Sequence, residues 1–211
     1  MTSDQDVPSP IDFHDPSQAR QWVETAIARR PARPAFFAAF VAALQAGLPA
    51  AAAVLELGSG AGLLAAPLLA QVPAIARYDL LDFAAPMHAL ARERLAVFGA
   101  RTCHLVRDFK RSDWTEGLGG YHAVLTMQAV HEVRHKGHVA ALYAQVLPLL
   151  EPGGVFLVCD HYAGGPVRDM HPELFFTRDE QPLALRAAGF TRVEPLLERD
   201  EMSLYRAATP V

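Results

Sequence analysis

The period of the apolar positions changes several times along this chain, and each change marks an element. Residues 1–15 show no sustained pattern and read as a loose arm, anchored at most by Ile11 and Phe13. From Pro16 the spacing turns helical, with Trp22, Val23, Ala26 and Ile27 on one face, until "RRPARP" interrupts it. It resumes in "AFFAAFVAALQAGL", so residues 16–48 read as two short helices joined by a Pro/Arg turn. From about residue 52, short apolar runs alternate with helical stretches. "AAVLEL", "ARYDLLD", "TCHLVRD", "YHAVLTM" and "GVFLVCD" read as strands. "LLAAPLLAQV", "APMHALARERLAVFG", "HVAALYAQVLPLL" and "EQPLALRAAG" read as helices, with Pro67 expected within the first turns of its own. "FTRVEPLLE" and "MSLYRA" follow as two more strands. Their "RDE" connection is too short for a parallel crossover, so they should form an antiparallel hairpin. This alternation predicts an α/β fold: a mostly parallel seven-stranded sheet, a C-terminal antiparallel hairpin, helices on both faces and a small N-terminal helical cap. Residues 1–50 would form the arm and cap, and residues 51–211 the sheet domain.

Composition narrows this picture without changing it. Apolar residues make up 51% and charged residues 20% of 211 residues, which suits one globular domain with a small appendage. A formal charge of −4 leaves no general footprint for nucleic acid or an anionic membrane. No apolar run approaches bilayer length, and the polar, acidic start lacks the features of a signal peptide, so the expected location is cytoplasmic. Cys103 and Cys159 each lie in an apolar, strand-like run and are expected as buried free thiols.

The first strand runs into "ELGSGAGLL", which places Glu56, Gly58, Ser59, Gly60 and Gly62 at a strand-to-helix turn. Ligands bind at the carboxyl ends of such strands, where glycines let them approach the backbone. A dinucleotide loop more often carries its third glycine where Leu63 stands, and the G-K-[ST] ending of a phosphate loop is absent. Glu56 suits a positively charged ligand better than a pyrophosphate. Asp82 ends the second strand, where a carboxylate can hold ribose hydroxyls, and Asp108 ends the third. Three carboxylates at adjacent strand tips fit a nucleoside with a cationic amino-acid arm, as in S-adenosylmethionine. Asp79, further back, is expected as a solvated strand residue.

With these residues in place, the chain resembles a class I S-adenosylmethionine-dependent methyltransferase of the small-molecule type. The resemblance covers residues 52–206 and rests on "VLELGSGAG", "LLDFAAPMHALARERL", "LVRDF", "YHAVLTMQAVHEV" and "LPLLEPGGVFLVCD", in family order. The Pro152-Gly153-Gly154 turn is typical of the family. The resemblance implies a Rossmann-like methyltransferase fold with S-adenosylmethionine as cofactor. It implies that Gly58, Ser59, Gly60 and Gly62 line the methionine moiety, with Glu56 near its amino group. Asp82 would take the ribose hydroxyls, with Phe83 and Met87 beside the adenine. Asp108 would accept from the adenine amino group, with the Phe109 backbone nearby, and Met127 and Gln128 would face the methyl to be transferred. The expected reaction is in-line methyl transfer to an oxygen or nitrogen of a small molecule, by a monomer or homodimer. No nucleic-acid or membrane partner is expected. The alternative is a non-catalytic module that binds the cofactor or a partner. A nucleic-acid methyltransferase is disfavoured, because "TMQAV" stands where an N/D-P-P-Y/F motif would suggest methylation of base amino groups.

One motif points elsewhere. "HEVRH", residues 131–135, spells the H-E-x-x-H of zinc hydrolases. That chemistry needs both histidines on one helix face, whereas His131 directly follows the fourth strand and Gly137 soon interrupts any helix. No metal site is expected. The end of the fourth strand instead faces the acceptor side of this fold, which makes His131 a candidate general base or a local loop anchor. His161, at the end of the fifth strand, is a second candidate base, while His135 and His138 are expected to be solvated. Trp22, Phe36, Phe37 and Phe40 are either acceptor-facing or ordinary packing. Arg168 and His171 could meet an acidic group on the substrate.

Overall fold

The computed structural model describes residues 6–164 and 171–209. Helix α1 (Pro16–Arg29) starts where the Asp15 carboxylate accepts from the backbone N–H of Ser17 at 2.7 Å, with Pro16 in the first turn. Helix α2 (Arg33–Gln45) follows across the Pro/Arg turn. Strand β1 (Ala52–Leu57), helix α3 (Ala65–Gln71), strand β2 (Ile75–Asp82) and helix α4 (Ala85–Leu95) then alternate. Pro67 is the third residue of α3, where the missing N–H has no helical partner to lose. Strands β3 (Thr102–Val106) and β4 (Tyr121–Met127) precede helix α5 (Val139–Val146), strand β5 (Leu150–His161) and helix α6 (Glu180–Ala187). Strands β6 (Arg192–Arg199) and β7 (Met202–Ala208) form the hairpin.

The sheet order is β3-β2-β1-β4-β5-β7-β6, parallel from β3 to β5 and antiparallel from there through the hairpin. Side chains alternate between faces along a strand, so each strand feeds two cores. Val54, Leu80, Leu125 and Leu157 join Phe36, Phe40 and Leu68 of α2 and α3 in one core. Leu55, Leu81, Val124 and Phe156 join Leu142, Tyr143 and Leu185 of α5 and α6 in the other. Each such side chain fully withdrawn from water contributes about 1.5–3 kcal/mol, which is why the sheet at the centre is rigid enough to position a site.

Three sequence expectations need correction. Cys159 is a buried free thiol, but Cys103 is exposed: it lies on β3, the edge strand, where one flank has no neighbour. Asp79 is buried rather than solvated, accepting from the Tyr121 hydroxyl at 2.7 Å and facing the Arg77 guanidinium at 3.3 Å. The N-terminal arm, over its described residues, is not loose. Val7 N–H donates to the Arg134 carbonyl, while the Arg134 guanidinium donates to the Val7 and Pro8 carbonyls at 2.6 and 2.7 Å.

Candidate active site

Strand order reverses between β1 and β4, and such a switch point opens a crevice beyond the carboxyl ends of the strands. Register brings the sequence candidates there. Leu57 lies opposite both Leu81 and Thr126, so Gly58 comes next to Asp82 on one side and Met127 on the other. Met127 in turn pairs with Cys159, which places Gln128 beside Asp160. A cleft of about 500 Å³ occupies this edge, a volume in the usual range of small-molecule sites. A smaller hollow of about 60 Å³ shares Arg33, Gly58, Gly60 and Gln128 with it and reaches Glu56, Ser59 and Met127.

The glycine loop is shaped by contact on one side and by open space on the other. All three glycines have positive φ. A Cβ on Gly58 would sit 2.3 Å from the Ala129 Cβ, and one on Gly62 would meet Leu95 at 2.9 Å. A Cβ on Gly60 would meet nothing within 4 Å, because Gly60 borders the cleft. Asp82 ties this loop down: its carboxylate accepts from Gly60 N–H at 2.8 Å and from Ala84 N–H at 2.9 Å. Burial pushes the Asp82 carboxyl above its ordinary value, against those two hydrogen bonds. Burial pushes Glu56 up to about 8, although the Tyr78 hydroxyl donates to it at 2.7 Å. The Ser59 hydroxyl is buried and has no partner.

Phe83, Met87 and Phe109 line the larger cleft with Asp82. Asp108 stands apart. Its carboxylate caps Lys110 N–H at 2.9 Å and its side chain is not among the lining groups, although Phe109 beside it is.

His131 and His161 both line the cleft, with ring centres 5.9 Å apart. The Asp160 carboxylate accepts from His131 Nδ1 at 2.8 Å and from His131 N–H at 3.0 Å. Nδ1 is therefore the protonated nitrogen of the neutral ring, and Nε2 keeps its lone pair, 3.6 Å from Glu132 Oε1. Burial alone would lower the His131 pKa; Asp160, by charge and hydrogen bond, and Glu132 outweigh it and raise the ring above its ordinary value. Burial also opposes the Asp160 charge, but His131 and then His161 hold that carboxyl low.

His161 is arranged differently. Arg33 Nε, which can only donate, points at Gln128 Oε1, so the Gln128 amide nitrogen is the atom 2.7 Å from His161 Nε2. That nitrogen donates, and His161 Nε2 must accept. On this arrangement its Nε2 lone pair is already used. Of the two candidate bases, His131 is the one whose basic nitrogen is not taken by a hydrogen bond.

The H-E-x-x-H geometry does not form. His131 lies in a 3₁₀ turn (Val130–Val133), Arg134 is left-handed at φ 68°, and His135 is extended. Among the described residues no group of three His, Cys, Asp or Glu side chains is placed to hold a metal. His138 is exposed and pairs with Asp6 at 2.9 Å, but His135 is half-buried rather than solvated, its Nε2 enclosed without a partner. Trp22 borders both cavities and Phe37 the smaller, whereas Phe36 and Phe40 are wholly core. His171 lines the cleft; Arg168 lies outside the described residues.

The sequence reading missed three contributors. Asp160 was visible only as a strand end, the arm only as an unpatterned segment, and Arg33 only as part of a Pro/Arg turn. A Pro/Arg turn within reach of a glycine loop is the signal that could have pointed to Arg33.

Residues 55–156 match the family model described as a methyltransferase domain. The chain is 28% identical over 120 residues to highly reducing polyketide synthase 40 of Fusarium pseudograminearum. That alignment takes 54% of this chain and 5% of the synthase, so the chain spans only a small part of that relative's length. Among solved structures it is similar to the CurJ carbon methyltransferase, with TM-score 0.66 and 18% identity over 78% of this chain and 50% of that one. It is also similar to the mitomycin 7-O-methyltransferase MmcR, with TM-score 0.71 and 19% identity over 94% of this chain and 59% of that one. At such identities these likenesses establish a shared fold. No helix among the described residues is long and apolar enough to cross a membrane.

Proposed function

We propose that this chain, whose residues 55–156 match a methyltransferase domain, is an S-adenosylmethionine-dependent enzyme that methylates an oxygen or nitrogen of a small molecule. The residues at the cleft fit the cofactor. Gly60 leaves room for a ligand against the loop, and the buried Ser59 hydroxyl and one Arg33 nitrogen lack partners. Glu56, disfavoured as an anion when alone, is suited to an ammonium group that would restore its charge. On this reading Gly58, Ser59, Gly60 and Gly62 hold the methionine portion and Asp82 the ribose. Phe83, Met87 and Phe109 enclose the adenine, with Asp108 at its edge, and Met127 and Gln128 flank the reacting end.

When bound, the cofactor supplies a methyl group on a sulfonium, which an acceptor atom can displace in line. The chain's own work is to position the acceptor, exclude water and remove its proton. His131 Nε2 takes that proton, and Asp160 holds the ring in the correct tautomer and stabilises its charged form. Trp22, Leu174 and Phe175 supply apolar wall around it. The pairing of half-buried His131 with buried Asp160 carries this reading, and it favours a hydroxyl over an amine, which needs no base once neutral. A carbon acceptor is the second reading. The same base can remove an acidic C–H proton, and the similarity to a carbon methyltransferase and to a polyketide synthase favours it.

Calorimetric titration with S-adenosylmethionine and S-adenosylhomocysteine tests the cofactor site. Binding in the micromolar range, weakened roughly tenfold or more in Asp82→Ala, is expected. Folded protein that binds neither compound overturns the proposal. Binding without methylated product from any acceptor pool points to a non-catalytic module instead.

A further inference from the structure

Arg134 joins the cover of the cleft to a carboxylate on its wall. Its Nε and Nη2 donate to the Val7 and Pro8 carbonyls of the arm, while its Nη1 donates to Glu132 Oε2 at 3.2 Å. Arg134 is buried, and all four residues border the cleft. The other oxygen of the Glu132 carboxylate, Oε1, stands 3.6 Å from His131 Nε2. An N–H···O bond needs about 2.7–3.2 Å, so Glu132 is held just short of the nitrogen that would act as base. Its pull depends on the state of the ring. A neutral ring turns a lone pair towards Oε1 and repels it, whereas a protonated ring offers Nε2–H and attracts it. A Glu132 that closed the gap would pair with the protonated ring and keep the proton there. The titratable groups around the ring are Asp160 and His161 from β5, Glu132 and Arg134 from its own turn, and His171 in the same cleft. Burial lowers the pKa of the ring, Asp160 and Glu132 raise it, and Arg134 lowers it.

We propose that Arg134 is a positioning residue for the proton transfer: it keeps the Glu132 carboxylate off His131 Nε2, so the base is free only while the arm covers the cleft. The inference rests on the reading of His131 as the base. The fork of the guanidinium is what makes one side chain serve both ends, because its separate N–H groups donate to the arm and to Glu132 at once. When the arm lifts, the guanidinium loses two acceptors and its cover. It then turns to water and releases Glu132 onto the ring. Closing the cleft and freeing the base are therefore one event, and a protonated, idle His131 belongs to the open state.

Nitrogen-15 NMR of the whole chain, labelled at histidine, reads the protonation of His131, with His131→Asn identifying its signals. Arg134→Met should move the His131 midpoint upward, and Glu132→Gln should move it downward. On the Glu132→Gln background Arg134→Met should add little, because the carboxylate it restrains is gone. Arg134→Lys, which keeps a cation, should restore the wild-type midpoint in part. Proteolysis within residues 6–15 should quicken in Arg134→Met and stay unchanged in Glu132→Gln, whose amide oxygen can still accept from Arg134. Arg134→Gly, suited to the left-handed backbone at φ 68°, takes the place of Arg134→Met should that variant not fold. An upward shift equally large with and without Glu132 overturns the proposal, since it would come only from water reaching the ring. A midpoint that Arg134→Met leaves unmoved or lowers overturns it as well. S-adenosylhomocysteine added to the same samples separates this inference from the reading beneath it. A wild type that does not bind it loses methyl transfer as its function, while the double-variant comparison still decides whether Arg134 restrains Glu132.

Discussion

An imidazole half-buried beside a carboxylate holds its proton more tightly than one in water, because the charged ring gains Asp160 at 2.8 Å. His131 is such a ring, and its raised pKa fixes the sign of a pH profile. Below that pKa Nε2 carries a proton and cannot accept one; above it the base is free. Turnover under kcat/KM conditions should therefore rise with pH through a midpoint above 6.5, the ordinary histidine value, and then level off. Replacing Asp160 with Asn keeps the shape but removes the charge that raises the ring. The midpoint should move downward, and the rate should fall because Asn can also hold the wrong tautomer in place. His131→Asn should lose the rising limb altogether, with a rate about 10²–10⁴-fold lower. Stopped assays across pH 5–9, scored for methylated product, check all three; a midpoint unmoved by Asp160→Asn would remove His131 from the base's role.

The turn between β1 and α3 divides its glycines between folding and binding. In Gly58→Ala the new methyl would meet the Ala129 Cβ at 2.3 Å, on a backbone at φ 63° that side chains disfavour. Overpacking of this kind costs roughly 1–3 kcal/mol, so the melting temperature should drop. Gly60→Ala shares the left-handed strain but meets nothing within 4 Å, and its methyl projects into the space beside the loop. Its melting temperature should fall less, while affinity for S-adenosylhomocysteine should fall more. The paired melting and titration measurements decide this, and equal losses of both kinds would show that the loop has no ligand-facing side. The loop could be read from sequence because a glycine cluster after an apolar strand is a local signal. The environments of Cys103 and Asp79 are not legible in sequence, for the opposite reason. Whether a strand residue is covered depends on which strand lies beside it, and the order β3-β2-β1-β4 is set by contacts distant in the chain. Asp160 suffered likewise: its partner His131 is 29 residues away, on another strand's end.

The cleft as a whole is closed by a segment that has no pattern of its own. Val7, Pro8, Ser9, Pro10, Ile11 and Phe13 all border it, and Phe13 packs edge-on against Trp22 and Phe83, with ring centres at 5.8 and 6.2 Å. The clasp is Arg134, 127 residues from Val7, a separation that no local pattern along the chain can signal. Arg134 is buried, its conformation is left-handed, and its Nη1 also reaches Glu132 at 3.2 Å. Charged hydrogen bonds of this sort are each worth roughly 1.5–3 kcal/mol, and Arg134→Met removes two of them to the arm at once. Only the Val7 N–H bond to the residue 134 carbonyl and the exposed Asp6–His138 pair would remain nearby, and an exposed pair contributes little. The arm should therefore detach without unfolding the sheet, whose two cores do not include it. Three readouts should move together: faster proteolysis within residues 6–15, weaker S-adenosylhomocysteine binding through loss of the cover over Phe83, and slower methyl transfer as water enters. Circular dichroism should stay close to wild type. If proteolysis accelerates while binding and transfer hold steady, the arm is only an ornament on the surface, and the apolar wall of the cleft must be sufficient without it.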